Sequence, residues 1–125
     1  MNPLSENITK GTFGELLVQL RLLQYGVQAA PPIKDSGNDL IAIRGEVFKA
    51  IQIKTRTELS KRINDLPDLY HILAVVLLDQ NGSGTDLSLD RCYIFLFSKD
   101  EVEDCDSLPY NEHFLISQQR IDKLF

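Results

Sequence analysis

The feature that most constrains the fold is a pair of apolar segments, residues 39–44 and 47–54, separated only by the dipeptide Gly45-Glu46. Two strands joined by two residues form a tight antiparallel hairpin. Glycine at the first central position favours a type II′ turn, because the twist of that turn matches the twist of the strands. The turn therefore fixes which residues of the two strands pair.

The predicted pairing brings three polar side chains to one place. With Arg44 paired to Val47, counting outward places Asp39 directly opposite Gln52. Directly opposed side chains share a face of the sheet, and Lys54 is a diagonal neighbour within reach of a long side chain. We therefore predict that an acid, an amide and an ammonium group converge at the end of the hairpin that lies away from the turn.

Length and composition predict a single domain over residues 1–125. The chain has 125 residues, of which 43% are hydrophobic, enough for one core and too few for two. No apolar run approaches the roughly 20 residues of a membrane helix, and the N-terminal residues lack the pattern of a secretory signal. We expect a cytoplasmic protein without membrane contact. Cys92 and Cys105 match no zinc spacing and are expected to be unpaired thiols.

The formal net charge of −5 argues against a broad, non-specific grip on nucleic acid, but it does not exclude a local one. Basic residues gather around the hairpin, at Lys49, Lys54, Arg56, Lys61 and Arg62. Acids cluster instead at residues 100–106, where Ser98 and Glu101 have the spacing of a capping box. We interpret this acidic run as the solvated start of a helix.

Periodicity and turn signals predict the remaining elements. Residues 5–25 have a helical pattern that ends at Gly26. Five apolar residues at three- and four-residue steps predict its core-facing stripe: Phe13, Leu16, Leu17, Leu20 and Leu23. The other predicted elements are, in chain order, a strand at 27–30, the hairpin, a short helix at 57–65, a strand at 70–78 covered on both faces, a loop at 79–86, a strand at 91–97, a helix from Lys99, a strand at 114–116 and a terminal helix capped by Ser117. This order predicts an α/β fold with a mixed central β-sheet flanked by helices on both faces.

The polar residues of the hairpin have two interpretations. In the first, Asp39 and Lys54 form an ordinary cross-strand ion pair with Gln52 as a hydrogen-bonding spacer. In the second, the Asp39 carboxylate and the Gln52 side-chain carbonyl bind a divalent metal ion, since hard oxygen ligands are those that Mg²⁺ accepts. Lys54 then supplies positive charge beside a phosphate or an attacking water.

Glu15 is a further candidate for the same site. It shares a second apolar stripe of the first helix with Val18 and Leu22, and Gly11 one turn earlier leaves room for another backbone. This placement predicts an inward carboxylate that takes part in metal binding. The alternative is a capping box with Thr12, if the helix begins there. A cap holds Glu15 beside the Thr12 amide, whereas a metal role requires Glu15 to lie over the hairpin.

Taken together, these residues resemble the PD-(D/E)XK nuclease superfamily. The resemblance spans roughly residues 10–78. It is carried by Gly11-x-x-x-Glu15 on the first helix, Asp39 at the start of a strand, and Gln52-Ile53-Lys54 on its hairpin partner. The chain is similar to the restriction-endonuclease-like αβββαβ core, especially that of small Holliday-junction resolvases and compact homing or tRNA-splicing endonuclease domains.

The resemblance implies a Mg²⁺-dependent endonuclease, a hydrolase that cuts phosphodiester bonds in DNA and in which Mn²⁺ can replace Mg²⁺. It implies that Asp39, Gln52 and the Ile53 carbonyl bind the metal ion and that Glu15 binds it through water. Lys54 would then orient or activate the attacking water.

Contacts to DNA and to further copies of the chain follow from the same hypothesis. The candidates for contacts to backbone phosphates, which position a protein without specifying sequence, are Lys49, Arg56, Lys61 and Arg62. For each of these residues, solvated surface is the alternative. Cutting two strands with a chain this small is simplest for a homodimer or a higher homo-oligomer.

Two residues depart from the pattern of the superfamily. Asn38 stands in the place of the motif's proline, and Gln52 stands where an acid is usual. Replacing a carboxylate by an amide removes a negative charge, which lowers metal affinity unless Glu15 compensates. A second function therefore stays open: a catalytically inactive module with a nuclease fold that binds nucleic acid or protein.

Overall fold

The computed structural model describes residues 6–33, 37–79 and 89–125. Its helices and strands are α1 (Glu6–Gln24), β1 (Gln28–Ala30), β2 (Leu40–Arg44), β3 (Val47–Arg56), β4 (Ile72–Leu77), β5 (Tyr93–Ser98), α2 (Lys99–Glu103) and α3 (Gln118–Leu124), with single 3-10 turns at Leu89–Arg91 and Glu112–Phe114. Most of the predicted loop at 79–86 lies outside the described residues.

The strands form one five-stranded sheet in the order β1-β2-β3-β4-β5. Neighbouring strands are antiparallel except β3 and β4, which are parallel. The predicted α/β class with a mixed sheet and flanking helices is therefore confirmed. In the described part of the chain, no helix combines the length and the apolar character that crossing a bilayer requires.

The prediction of a short helix at residues 57–65 is wrong, because the connection between β3 and β4 has no regular secondary structure. Its main-chain carbonyls bond to distant parts of the chain instead. The Lys61 carbonyl accepts from the Leu108 N–H at 2.8 Å, and the Ser60 carbonyl accepts from the Tyr110 hydroxyl at 2.7 Å. These tertiary contacts override a weak local helix propensity, so the order of elements departs from αβββαβ at this point.

The predicted hairpin register is confirmed. Arg44 pairs with Val47, and the ladder continues to Leu40 and Ile51. Gly45 has φ +60°, as the first central residue of a type II′ turn requires.

Helix α1 begins at Glu6, and Gly26 ends it as predicted. Gly26 has φ +79°, and its N–H donates to Leu23, while the Val27 N–H donates to Leu22. This pair of bonds is a Schellman motif, which satisfies the last carbonyls of the helix.

The face of α1 that packs on the sheet is the second predicted stripe, that of Val18 and Leu22, together with Leu17 from the first. Val18 and Leu22 are fully buried, whereas Leu16, Leu20 and Leu23 are 57%, 53% and 60% exposed. Gly14 explains the choice of face, since a Cβ there would lie 1.9 Å from Thr55 Oγ1. The helix can approach β3 this closely only along its glycine-bearing side.

Apolar clusters cover both faces of the sheet. One joins α1 and α3 to the sheet, and the other lies under the β3–β4 connection and α2. All residues of β4 except Leu77 are buried, as predicted for a strand covered on both faces. The capping box of Ser98 and Glu101 and the cap at Ser117 are both present.

The strand predicted at residues 114–116 is wrong. The segment forms the end of a 3-10 turn and makes a single bridge between Leu115 and Phe95. Ile116 also donates its N–H to Ile94 at 2.9 Å. The segment therefore lies against β5 without forming a strand of its own.

Candidate active site at the end of the hairpin

Asp39 lies just before the first residue of β2, and it is bonded to β3 at two points. Its N–H donates to the Ile51 carbonyl at 3.0 Å. Its carboxylate Oδ2 accepts from the Ile53 N–H at 2.8 Å. The N–H and C=O of one residue in a strand point to the same side, so the Ile53 carbonyl is directed toward the side on which Asp39 lies.

Gln52 occupies the β3 position opposite Asp39, and the residue is 8% exposed. Its Oε1 atom is buried and has no hydrogen-bond partner among the described residues. An unsatisfied buried polar atom costs about 1–3 kcal/mol, and such an atom in a native protein requires a physical explanation. A water molecule or a cation bound beside Asp39 would supply the partner.

Glu15 lies within α1 rather than at its start. Because the helix begins at Glu6, Thr12 is an interior residue and the capping-box alternative is wrong. Partial burial, followed by the negative charge of Asp39, raises the pKa of Glu15 above its ordinary value of 4.5. The structure therefore brings the two carboxylates close enough to repel, and a bound cation would reverse that effect on the pKa.

Lys54 does not direct its ammonium to Asp39. Its Nζ donates instead to the Asp65 carbonyl in the β3–β4 connection, at the long distance of 3.4 Å. Asp65 has φ +60°, a conformation that non-glycine residues seldom adopt. The alternative of an Asp39–Lys54 ion pair is therefore not what the structure contains.

A cavity of about 500 Å³ lies between α1 and the end of β3. It is lined by Lys10, Gly11 and Glu15 from the helix and by residues 53–57 from the strand and its continuation. Three cationic side chains and one carboxylate thus surround a space of the size that small-molecule groups occupy. We call this space the α1–β3 cavity.

Of the four residues predicted to contact phosphates, only Arg56 lines the α1–β3 cavity. Lys49 pairs with Ala42 nearer the turn, about 16 Å along the strand from Lys54. Lys61 and Arg62 line a separate cavity, and Arg62 donates its Nε to the Asp106 carbonyl at 3.0 Å.

Sequence reasoning missed Thr55 and Thr57 as residues of the cavity, and it also missed the charged residue Lys10. Its place beside Gly11, one turn before Glu15, is the signal that could have identified it.

The donor set suits a hard cation. In the described part of the chain, no three His, Cys, Asp or Glu side chains come close enough to hold a metal ion. A site here would combine the carboxylates of Asp39 and Glu15 with the Gln52 side-chain carbonyl and the Ile53 main-chain carbonyl. All four are oxygen donors, the class that Mg²⁺ accepts, and the unpartnered Gln52 Oε1 fits such a group.

Comparisons with known proteins identify the fold. No protein-family model matches the chain, and no curated protein matches it in sequence. Among solved structures, the bacterial homing endonuclease I-Ssp6803I matches with a TM-score of 0.62 and 12% sequence identity. The match covers 92% of this chain and 88% of that chain. At this identity the likeness shows a shared fold, so the chain has the fold of a nuclease.

Proposed function

We propose that the protein is a Mg²⁺-dependent endonuclease of the PD-(D/E)XK type, which hydrolyses phosphodiester bonds in DNA. The observation that carries this proposal is the unpartnered Gln52 Oε1, buried at the position opposite Asp39. Glu15 and Lys54 lie at the adjoining cavity. The fold shared with a homing endonuclease supports phosphodiester hydrolysis as the reaction.

Asp39, Gln52 and the Ile53 carbonyl would hold Mg²⁺, with Mn²⁺ able to replace it, and Glu15 would bind through water. When bound, the metal ion stabilises charge that develops on the phosphate and favours deprotonation of water. The Ile53 N–H fixes the orientation of the Asp39 carboxylate before the metal ion binds. Such preorganisation places the ligand without reorganisation during the reaction.

Lys54 would hold the attacking water or the charged phosphate oxygen. Its bond to the Asp65 carbonyl is 3.4 Å long and therefore weak, so exchanging it for a bond to substrate costs little. Arg56 and Lys10 would bind adjoining phosphates at the cavity wall. Lys49, Lys61 and Arg62 would contact DNA farther from the site of cleavage.

A homodimer would bring two such sites to the two strands of a duplex. The outward face of α1 supports this part of the proposal. Phe13, Leu16, Leu20 and Leu23 recur at steps of three, four and three residues, the spacing of a coiled-coil seam. We call these four residues the outer stripe. The flanking residues are uncharged, so two copies can pair without repulsion: Thr12, Gln19 and Gln24.

The test is cleavage of plasmid and branched DNA by the purified protein with Mg²⁺ or Mn²⁺. We expect cleavage that EDTA abolishes and that Asp39→Ala or Lys54→Ala reduces by at least about 100-fold. Glu46→Ala and Lys123→Ala remove exposed charges elsewhere and serve as matched controls. An inert wild type, or variants of Asp39 and Lys54 that cut as well as the controls, would contradict the proposal.

The alternative is an inactive nuclease-fold module that binds nucleic acid or protein. It is favoured by the amide at Gln52 and by the bond through which Asp39 already satisfies the Ile53 N–H. Calorimetry separates the two functions. The alternative predicts no heat of Mg²⁺ or Mn²⁺ binding near neutral pH together with retained DNA binding, whereas the nuclease predicts saturable metal binding that Asp39→Ala removes.

A further inference from the structure

Gly11 and Gly14 lie about one turn apart in α1, but only Gly14 packs closely against another part of the protein. A Cβ at Gly14 would lie 1.9 Å from Thr55 Oγ1 and 3.0 Å from its Cβ, so packing on β3 requires glycine there. A Cβ at Gly11 would meet nothing within 4 Å in the described part of the chain outside the adjoining helix backbone. Gly11 also has an ordinary helical conformation without a positive φ. Neither backbone geometry nor packing against the described residues therefore requires glycine at position 11.

Glycine at such a position has a cost. In the interior of a helix it destabilises the fold relative to alanine, because it loses more backbone freedom and contributes no side chain. Nothing in the described part of the chain occupies the space over Gly11, so this space is open to a molecule outside the chain. The space in question is the α1–β3 cavity, because Gly11 lies on its wall.

The other walls of the cavity show which chemistry fits the space. Lys10 lies beside Gly11, and Arg56 and Thr57 lie across from it at the end of β3. Two cationic groups and a hydroxyl suit an anion with several acceptor oxygens, and Arg in particular matches the geometry of phosphate. In a helix, Gly11 is about 6 Å along the axis from Glu15, so this space adjoins the proposed metal site.

We propose that Gly11 keeps open a subsite for the sugar–phosphate unit next to the phosphate that is cut. Lys10 and Arg56 bind the phosphate of this unit, and the bare helix surface at Gly11 accommodates its sugar. The inference rests on the proposed function, because that function defines which phosphate is cut. It also predicts an effect on DNA binding that does not depend on cleavage. A side chain at position 11 would occupy the space of the substrate, and its Cβ meets none of residues 6–33, 37–79 and 89–125 beyond the adjoining helix backbone.

The experiment compares Gly11→Ala and Gly11→Leu with Gly14→Ala in the full chain. Thermal melting reports folding. Binding of a labelled DNA duplex in Ca²⁺ without Mg²⁺ reports substrate affinity, and cleavage in Mg²⁺ reports activity. We expect both Gly11 variants to melt at or above the wild-type temperature while kcat/KM falls on the order of tenfold for Ala and 100-fold for Leu, with weakened DNA binding. Gly14→Ala should lower the melting temperature instead.

The outcomes separate this inference from the proposed function. If Gly11→Leu binds and cuts DNA as the wild type does, the subsite is wrong and the nuclease proposal stands. If the wild type binds DNA without cutting it, the nuclease proposal fails, and weaker binding by Gly11→Leu still supports the subsite. If Gly11→Ala melts below the wild type, or the wild type binds no DNA, the inference is overturned.

Discussion

The carboxylate of Asp39 accepts a hydrogen bond from the main-chain N–H of Ile53 across the hairpin, at 2.8 Å. Strand β2 starts one residue later, at Leu40. The side chain therefore takes the place of a strand partner for Ile53, and its second oxygen is not used by this bond. Asp39 therefore has two roles. It extends the hydrogen bonding between β2 and β3 by one residue, and it supplies a carboxylate to the candidate metal site.

Substitutions at Asp39 should separate these two roles. Asp39→Asn keeps an acceptor for the Ile53 N–H but removes the charge, so we expect near wild-type stability with loss of Mg²⁺ binding and of cleavage. Asp39→Ala also leaves the N–H unpaired, which should cost about 1–3 kcal/mol in the free energy of unfolding. Urea denaturation and calorimetric titration with Mg²⁺ measure the two effects. Equal metal binding by Asp39→Asn and wild type would contradict the proposed ligand.

Gln52→Glu should convert the amide into the acid that the proposed PD-(D/E)XK function would favour at this position. A third carboxylate near Glu15 and Asp39 adds charge for a cation to neutralise, so we expect Mg²⁺ affinity to rise about tenfold. Without metal the added repulsion should lower the melting temperature, whereas Mg²⁺ should restore it. Gln52→Leu is the matched control, because it removes the unpartnered Oε1 and should stabilise the metal-free protein. If Gln52→Glu binds Mg²⁺ with the same affinity as the wild type, Gln52 is not a ligand of the metal ion.

The raised pKa of Glu15 predicts a pH dependence of stability. Burial and the charge of Asp39 favour the protonated carboxyl in the folded state. The resulting stabilisation is complete below the ordinary pKa of 4.5 and is lost as the pH rises through the higher folded-state pKa. In EDTA, Glu15→Gln should therefore match the wild type in acid and exceed its stability at neutral pH. Saturating Mg²⁺ should remove this advantage. A variant that is less stable than the wild type at neutral pH in EDTA would refute the argument.

We expect the ion pair between Glu101 and Arg120 to contribute more to the free energy of unfolding than the exposed ion pairs do. The Arg120 side chain is 4% exposed, and its guanidinium bonds to Glu101 and to the Leu96 carbonyl. Burial raises the pKa of Glu101, but its bonds to Arg120 and Ser98 outweigh this effect and lower it. Its stabilisation is therefore present above pH 4.5 and is lost as the pH falls through the lower folded-state value.

Breaking this pair with Glu101→Gln should cost about 2–3 kcal/mol near neutral pH, since Arg120 keeps a buried charge with weaker compensation. Glu103→Gln is the control, because its 4.0 Å pair with Lys99 is solvent-exposed and should change stability by less than about 0.5 kcal/mol. Urea denaturation compares the two variants. Similar losses for both would contradict a special role of the buried pair.

The outer stripe of α1 should mediate self-association. Lysine at both Leu16 and Leu20 places charge in the proposed seam, and we expect sedimentation velocity to show a monomer where the wild type is a dimer. Leu69→Lys changes an 80% exposed leucine away from the helix and is the control. A wild type that remains monomeric at every concentration would contradict the dimer.

The hairpin could be predicted because a two-residue turn and the alternation of side chains leave only one register. The caps at Gly26, Ser98 and Ser117 were predictable for a similar reason, since each rests on a side chain or conformation within a few residues. These features depend on residues that are close together in the sequence, so the spacing of those residues is enough to predict them.

The inward face of α1 could not be predicted from periodicity. Both the outer stripe and the stripe of Val18 and Leu22 have helical spacing, and the choice between them depends on the approach of Gly14 to Thr55. That contact joins residues 41 positions apart in the sequence. The place of Lys10 at the candidate site follows from the same docking, which explains why the hairpin alone did not reveal it.

The two outermost strands also limit how copies of this protein can meet. On one side, β1 is three residues long and is followed by Pro31 and Pro32. On the other, the main chain of Leu115 and Ile116 already takes up hydrogen-bonding groups of β5. Because neither flank offers a long row of unpaired main-chain groups among the residues that the structure describes, the sheet is a poor template for intermolecular strand addition and for amyloid-like aggregation.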